Sequence, residues 1–87
     1  MLYRIITERK RLRCIRRICN RLFYGYTMYK AYGVYKGVPE KSVVIEVQSD
    51  GLPHAALRVN EAAEQIREVN KQECVLVQSF ACLGVLV

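Results

Sequence analysis

The order of elements along this 87-residue chain predicts an α+β sandwich, in which one antiparallel four-stranded sheet carries two helices on one face. Apolar residues recur at helical spacing in two segments, and four other segments have the alternation or the β-branched content of strands. These segments follow one another as strand, helix, strand, strand, helix, strand. Right-handed crossovers then place the first and third strands at the centre of the sheet and the second and fourth at its edges.

The first half of the chain supplies a strand, a helix and a long second strand. Leu2–Thr7 is rich in β-branched residues and is predicted as the first strand. A helix is expected from about Glu8 to Leu22, because apolar residues recur there at about 100° per residue. The buried side of this helix is predicted to hold Leu12, Ile15, Ile18, Cys19 and Leu22. Gly25 ends the helix, and the alternating, tyrosine-rich segment Tyr26–Tyr35 is predicted as the second strand.

The second half supplies a strand, a helix and a strand. Gly37–Glu40 contains glycine and proline in turn spacing and is predicted to connect the second and third strands. Ser42–Val47 is the most apolar strand and is therefore predicted to be central in the sheet. His54–Asn70 has helical periodicity, with its glutamates on the outer side, and Cys74–Gln78 is predicted as the last strand.

Residues 1–79 are predicted to form a single domain, followed by an apolar C-terminal tail, residues 80–87, that serves as an edge strand or an oligomer contact. A chain of this size buries only about 60–65% of its unfolded surface, yet 52% of its residues are apolar. We therefore expect a homo-oligomer in which another copy covers an exposed sheet edge. The basic start of the chain leads into further charge, so we predict no signal peptide, no membrane partner and a cytoplasmic location.

The sequence contains no motif that is typical of a catalytic or metal site. Its four cysteines form no C-x-x-C pair, it has one histidine, and it lacks the G-x-S-x-G, H-E-x-x-H and phosphate-loop patterns. Glu46 stands alone in an apolar strand, where a carboxylate is more often solvent-facing or ion-paired than catalytic. We therefore predict a protein that is not an enzyme and that uses no metal and no cofactor.

A run of positive charge between residues 9 and 21 is the strongest functional signal, because it holds seven of the fourteen Lys and Arg residues and no acid. Four of these cations are expected on the outer side of the first helix, three or four residues apart. They are Lys10, Arg13, Arg17 and Arg21. Like charges at this spacing repel by roughly 0.2–0.5 kcal/mol per pair. We therefore expect this side to meet an anionic macromolecule.

Five tyrosines lie between residues 24 and 35, and Tyr and Arg are the residues favoured at interface hot spots. Tyr29 and Tyr35, or their alternates on the other face of the strand, are the predicted partner contacts. The partner is left open between an acidic surface or nucleic-acid site of another protein, which makes this chain an inhibitor or adaptor, and nucleic acid itself. A third hypothesis is an oligomer that binds a small nucleotide-like anion between its subunits.

The stretch from Gly25 to Gly37, followed by Ser42–Val47, resembles the second and third strands of PII-like and CutA-like proteins. This resemblance implies a ferredoxin-like fold and a homo-oligomer formed through sheet edges. The Gly-aromatic-Thr start and the aromatic-Lys-Gly turn are still more similar to small proteins of phages and other mobile elements. That similarity implies a non-enzymatic inhibitor of the phage type, such as the anti-CRISPR proteins. The loop that PII-type proteins use for nucleotides is reduced here to Lys36–Lys41.

Overall fold

The six elements occur in the predicted order in a computed structural model that describes residues 1–82, 84 and 85. They are β1 (Leu2–Glu8), α1 (Leu12–Leu22), β2 (Thr27–Tyr35), β3 (Val38–Gln48), α2 (Ala55–Asn70) and β4 (Leu76–Phe80). The strands form one antiparallel sheet in the order β2-β3-β1-β4, so β1 and β3 are central and β2 and β4 are the edges. The predicted ferredoxin-like α+β fold class is confirmed. The covering of an edge by a second copy stays a prediction.

The hydrophobic core lies between the helices and one face of the sheet. Val43, Ile45 and Val47 alternate along β3 toward the helices and are at most 1% exposed, and each buried aliphatic side chain of this kind contributes about 1.5–3 kcal/mol. The helices contribute Ile15 and Ile66, which are completely buried. α2 packs on β1 and β4, and α1 lies over β2 and β3. The two helices therefore cover different halves of the same face.

The first helix begins at Leu12, four residues later than expected, because the chain before it belongs to the sheet. Glu8 is still paired with Ser42 at the end of β1, and the backbone N–H of Arg9 donates to Lys41 O at 3.0 Å. Arg11 then adopts a left-handed conformation with φ 54°. The prediction that Lys10 lies on the helix is therefore wrong, since Lys10 belongs to the connection between β1 and α1.

The turn between β2 and β3 lies at Lys36 and Gly37 rather than over Gly37–Glu40. Both residues have positive φ, 51° and 78°, as a two-residue hairpin turn that matches strand twist requires. β3 consequently starts at Val38, and Pro39 pairs with Val34. Residues 32–35 and 38–41 pair with one another and extend beyond the last strand pair of β1 with β3, Glu8 with Ser42. We refer to residues 32–41 as the β2–β3 arm.

The C-terminal segment crosses the end of the sheet after β4. This strand lies two residues later than predicted, and Phe80, assigned to the tail in the sequence analysis, is its last residue and pairs with Leu2. The backbone N–H of Gly84 donates to Asp50 Oδ2 at 3.3 Å, which places the segment against the β3–α2 connection. Residues 83, 86 and 87 of the predicted tail lie outside the described residues. The predicted oligomer contact of this tail stays a prediction.

Candidate functional site

The basic side of α1 carries Arg13, Arg17 and Arg21 at successive i, i+4 positions, and all three side chains are exposed. Repeats of four residues rise about 6 Å along a helix, so the guanidinium groups form a line. Within the part of the chain that the structure describes, none of the three lies within 4 Å of a carboxylate. The described residues therefore place no ion-pair partner on this side of the helix.

Arg21 forms a side-chain hydrogen bond with α2. Its Nη2 donates to Gln65 Oε1, and Gln65 Nε2 donates in turn to Glu61 Oε1 at 3.1 Å. The amide of Gln65 thus links the guanidinium to the Glu61 carboxylate. Arg17 borders the same shallow depression between the helices, together with Glu68. The acidic outer side of α2 is therefore a neighbour of the basic line and not its ion-pair partner.

The remaining predicted contact residues lie elsewhere. Lys10 Nζ is 2.9 Å from Glu8 Oε2, so its charge is paired next to the connection where it lies. Tyr29 and Tyr35 are opposite Val44 and Val38 in the β2–β3 register, on the face of the sheet that the helices do not cover. Successive side chains of a strand point to opposite faces of the sheet. These two tyrosines are therefore on the face away from the arginines of α1.

A second candidate site is a cavity of about 660 Å3 at the end of the sheet, where the α1–β2 connection, the β3–α2 connection and the C-terminal segment meet. Its volume falls in the range of about 300–1,000 Å3 that is typical of small-molecule sites. The side chains that define its chemistry are Tyr24, Tyr26, Glu46, Gln48, Asp50 and Leu52. They combine aromatic rings, carboxylates and an apolar floor in one concave surface.

The two carboxylates of the cavity are held by specific hydrogen bonds. Glu46 Oε2 accepts from Arg4 Nη2 at 2.8 Å and from Arg4 Nε at 2.9 Å, while the guanidinium lies 4.8 Å from the Phe80 ring centroid. Asp50 Oδ2 accepts from Gln48 Nε2 at 3.0 Å, and this bond, followed by the bond from the Gly84 backbone, lowers the pKa of the Asp50 carboxyl. Both groups are therefore fixed in orientation at the rim.

The aromatic wall of the cavity comes from the connection between α1 and β2. The Tyr26 hydroxyl donates to Asn20 Oδ1 at 2.7 Å, and its ring packs edge-on against Phe23 with centroids 6.3 Å apart. Burial raises the pKa of the Tyr26 phenol, and nearby Cys19 raises it further, so the hydroxyl remains a donor at neutral pH. Tyr24 is 74% exposed, with Arg58 5.6 Å from its ring centroid, and its ring is free to stack on a ligand.

This cavity was not predicted from the sequence. Its residues come from four segments of the chain, at Leu2, 24–27, 46–52 and 84–85. The sequence signals that could have indicated it are a carboxylate, Glu46, inside an apolar strand and two tyrosines beside Gly25. Among the described residues, no three His, Cys, Asp or Glu side chains are grouped so that they could hold a metal ion. In the same residues, neither helix is long and apolar enough to cross a membrane.

Comparison with known proteins identifies a shared fold but no family. No family model matches the chain, and no curated protein matches it. Among solved structures, the chain is similar to a phage SAM lyase in the apo state, with a TM-score of 0.65 and 24% sequence identity. The match covers 87% of this chain and 75% of the lyase chain. At this level of identity the similarity establishes a shared fold.

Proposed function

We propose that this protein binds S-adenosylmethionine (SAM) in the cavity at the end of the sheet and cleaves it. The observation that carries the proposal is the chemistry of the cavity walls, in a fold shared with a phage SAM lyase. SAM combines an adenine ring, a sulfonium cation and an amino acid moiety. The exposed ring of Tyr24 offers a surface for stacking adenine. Asp50 offers negative charge to a cation, and Glu46, which is paired with Arg4, offers carboxylate oxygens as hydrogen-bond acceptors.

Cleavage of a sulfonium compound makes modest demands on a protein. The carboxylate oxygen of the substrate can attack its own γ-carbon as the bond from that carbon to sulfur breaks, which gives a lactone and a neutral thioether. The reaction therefore needs orientation and exclusion of water more than an activated protein nucleophile or a metal. The apolar floor at Leu52, which is 8% exposed, and the fixed donors and acceptors around it suit such a role. The lack of a catalytic motif in the sequence is therefore compatible with this activity.

Calorimetry and mass spectrometry test this proposal. The full-length protein is titrated with SAM up to about 1 mM, the upper end of common KM values, and the same mixture is followed for loss of SAM. We expect saturable binding and a loss of SAM that exceeds the protein-free control. Glu46→Gln should weaken binding about tenfold, whereas Glu40→Gln, a matched change on the exposed arm, should have no effect. Absence of both binding and turnover would contradict the proposal.

A second candidate function is the one that the basic run predicts, a non-enzymatic inhibitor or adaptor that engages an anionic macromolecule through α1. The observation that favours it is the line of Arg13, Arg17 and Arg21, which has no ion-pair partner among the described residues, in a chain with a formal net charge of +6. Phosphates and acidic protein surfaces both pair with guanidinium groups, and Arg adds bidentate geometry.

Charge reversal tests the second candidate. Arg13→Glu with Arg17→Glu should abolish capture of the partner from a cell extract. Arg67→Glu with Lys71→Glu changes the net charge by the same amount at the C-terminal end of α2, where Lys71 is the residue that follows the helix, and serves as the matched control. Both experiments are run with and without nuclease, because capture that survives nuclease indicates an acidic protein and capture that is lost indicates nucleic acid. Equal capture by both double variants would contradict a role for the α1 line.

A further inference from the structure

The β2–β3 arm and its root have two chemically different faces. Val43 packs into the core beneath the helices, and in the antiparallel register Lys30 is its direct partner. Side chains two positions further along point the same way, so Tyr32 and its partner Lys41 also lie on the helix side. Glu40 lies one position away and therefore projects from the opposite face. The helix side of the arm thus carries two lysines and an exposed ring with no acid between them.

The ring of Tyr32 is held in place by an anchored arginine. Arg9 Nη2 donates to Ala31 O at 2.8 Å, and Arg9 Nε donates to Ser42 O at 3.1 Å. Its guanidinium carbon lies 5.1 Å from the centroid of the Tyr32 ring. The ring is nevertheless 76% exposed. The Arg9 guanidinium therefore packs against one face of the Tyr32 ring and orients it before any ligand binds, while the rest of the ring is open to solvent.

The basic surface continues from the arm onto α1. Arg16 and Lys30 border the same depression of about 160 Å3 between the helix and β2, and Arg13 follows on the exposed side of the helix. In the described part of the chain, none of these three side chains is ion-paired, and neither is Lys41. Cations thus line the depression between α1 and β2, and the exposed ring of Tyr32 and the cation of Lys41 follow on the same face of the sheet. We refer to this surface as the groove.

We propose that this groove binds a single strand of nucleic acid, with a base stacked on Tyr32 and phosphates paired with Lys30, Lys41 and Arg16. Cations that follow a backbone, combined with an aromatic ring for the bases, are the general requirements for binding a single strand. A duplex hides the faces of its bases, so an open ring favours a single strand over a duplex. The inference rests on the second proposed function and names its anionic partner.

Fluorescence anisotropy with a labelled oligothymidine of about 16 nucleotides tests the inference. We expect the full-length protein to bind it at about 50 mM salt and more weakly at about 200 mM. Tyr32→Ala should weaken binding by at least about fivefold. Tyr35→Ala is the matched control, because Tyr35 lies on the same strand, is 63% exposed and occupies the opposite face. Its affinity should stay within about twofold of the wild type.

Three results overturn the inference. They are no binding at the lower salt concentration, equal losses for Tyr32→Ala and Tyr35→Ala, and displacement of the oligonucleotide by polyglutamate as effective as that by unlabelled oligonucleotide. The last result shows that the groove recognises charge alone. If the protein also captures a nuclease-resistant partner that Arg13→Glu with Arg17→Glu abolishes, the second proposed function stands and only the nucleic-acid assignment fails. SAM binding by Tyr32→Ala, measured in parallel, should equal that of the wild type.

Discussion

The inner half of β3, residues 42–48, pairs with β1 along its whole length and with β2 up to Glu46, whereas the strand partners of residues 38–41 are all in β2. Ile45 in the inner half is completely buried, and Val38 in the outer half is 59% exposed. Both halves have the same extended conformation. A turn that matches the strand twist is thus sufficient to continue β3 into the arm. Only the inner half, however, contributes buried side chains that stabilise the fold. The exposed side chains of the outer half are available for contacts outside the chain.

The largest difference between the two halves is expected in their contribution to global stability. Ile45→Ala leaves a cavity in the core and should lower the free energy of unfolding by about 2–5 kcal/mol. Val38→Ala removes an exposed side chain and should change it by no more than about 0.5 kcal/mol. Urea denaturation of both variants measures the two values. Similar losses would mean that the arm packs against something that the isolated chain does not show.

The turn of the arm provides a smaller and more local test. Gly37 has φ 78°, and a Cβ there would meet nothing within 4 Å, so Gly37→Ala changes backbone strain without a clash. Strain of about 1–2 kcal/mol in the left-handed region should accelerate amide exchange in residues 32–35 about 5- to 30-fold. Amides of residues 43–47 exchange through global unfolding, so the same strain should accelerate them by no more than this factor and leave them far better protected than the arm.

Gly25→Ala is the matched control for this test. It also introduces a methyl group with nothing within 4 Å, but the backbone of Gly25 is not in the left-handed region. Hydrogen–deuterium exchange should therefore show the arm of Gly25→Ala as protected as that of the wild type. Equal acceleration in both variants would assign the effect to the loss of glycine rather than to the turn geometry.

Hydrophobic periodicity was sufficient to predict the architecture, because each buried face repeats along one element. Ile15, Ile18 and Leu22 mark the inner side of α1 at helical spacing and are buried as expected. The apolar composition of Ser42–Val47 correctly predicted a central strand. Patterns of this kind lie within one element, so they can be recognised in the sequence without knowing which other elements it packs against.

The errors arose where long-range contacts decide the local conformation. Lys10 was assigned to the helix because helical spacing includes it, but Arg9 is tied by its side chain to Ala31 and Ser42 across the sheet. The turn was placed over Pro39 because proline favours turns, while the structure uses a lysine, Lys36, with positive φ. The chemistry of a lysine side chain does not predict a backbone with positive φ.

The cavity was beyond local patterns for the same reason. Tyr24, Glu46 and Asp50 come together only when the register of β2 with β3 and the path of the C-terminal segment are known. The line of Arg13, Arg17 and Arg21, by contrast, belongs to one helix and could be predicted from spacing alone. Sites built on one element are therefore readable from sequence, and sites built between elements require the fold.

The smallest expected effect is at the inner end of β3, where a fall in pH should weaken the hydrogen bond from the Gly84 N–H to Asp50. Hydrogen bonds from Gln48 and Gly84 lower the pKa of the Asp50 carboxyl in the folded protein. A carboxyl of this kind contributes stability above its unfolded pKa of about 3.9 and loses that contribution as the pH falls through its lower folded pKa. The Gly84 amide resonance should therefore titrate below about pH 3.9, and Asp50→Asn should abolish this transition. A midpoint at or above the ordinary aspartate value would show that the contact with Gly84 does not hold the charged carboxylate.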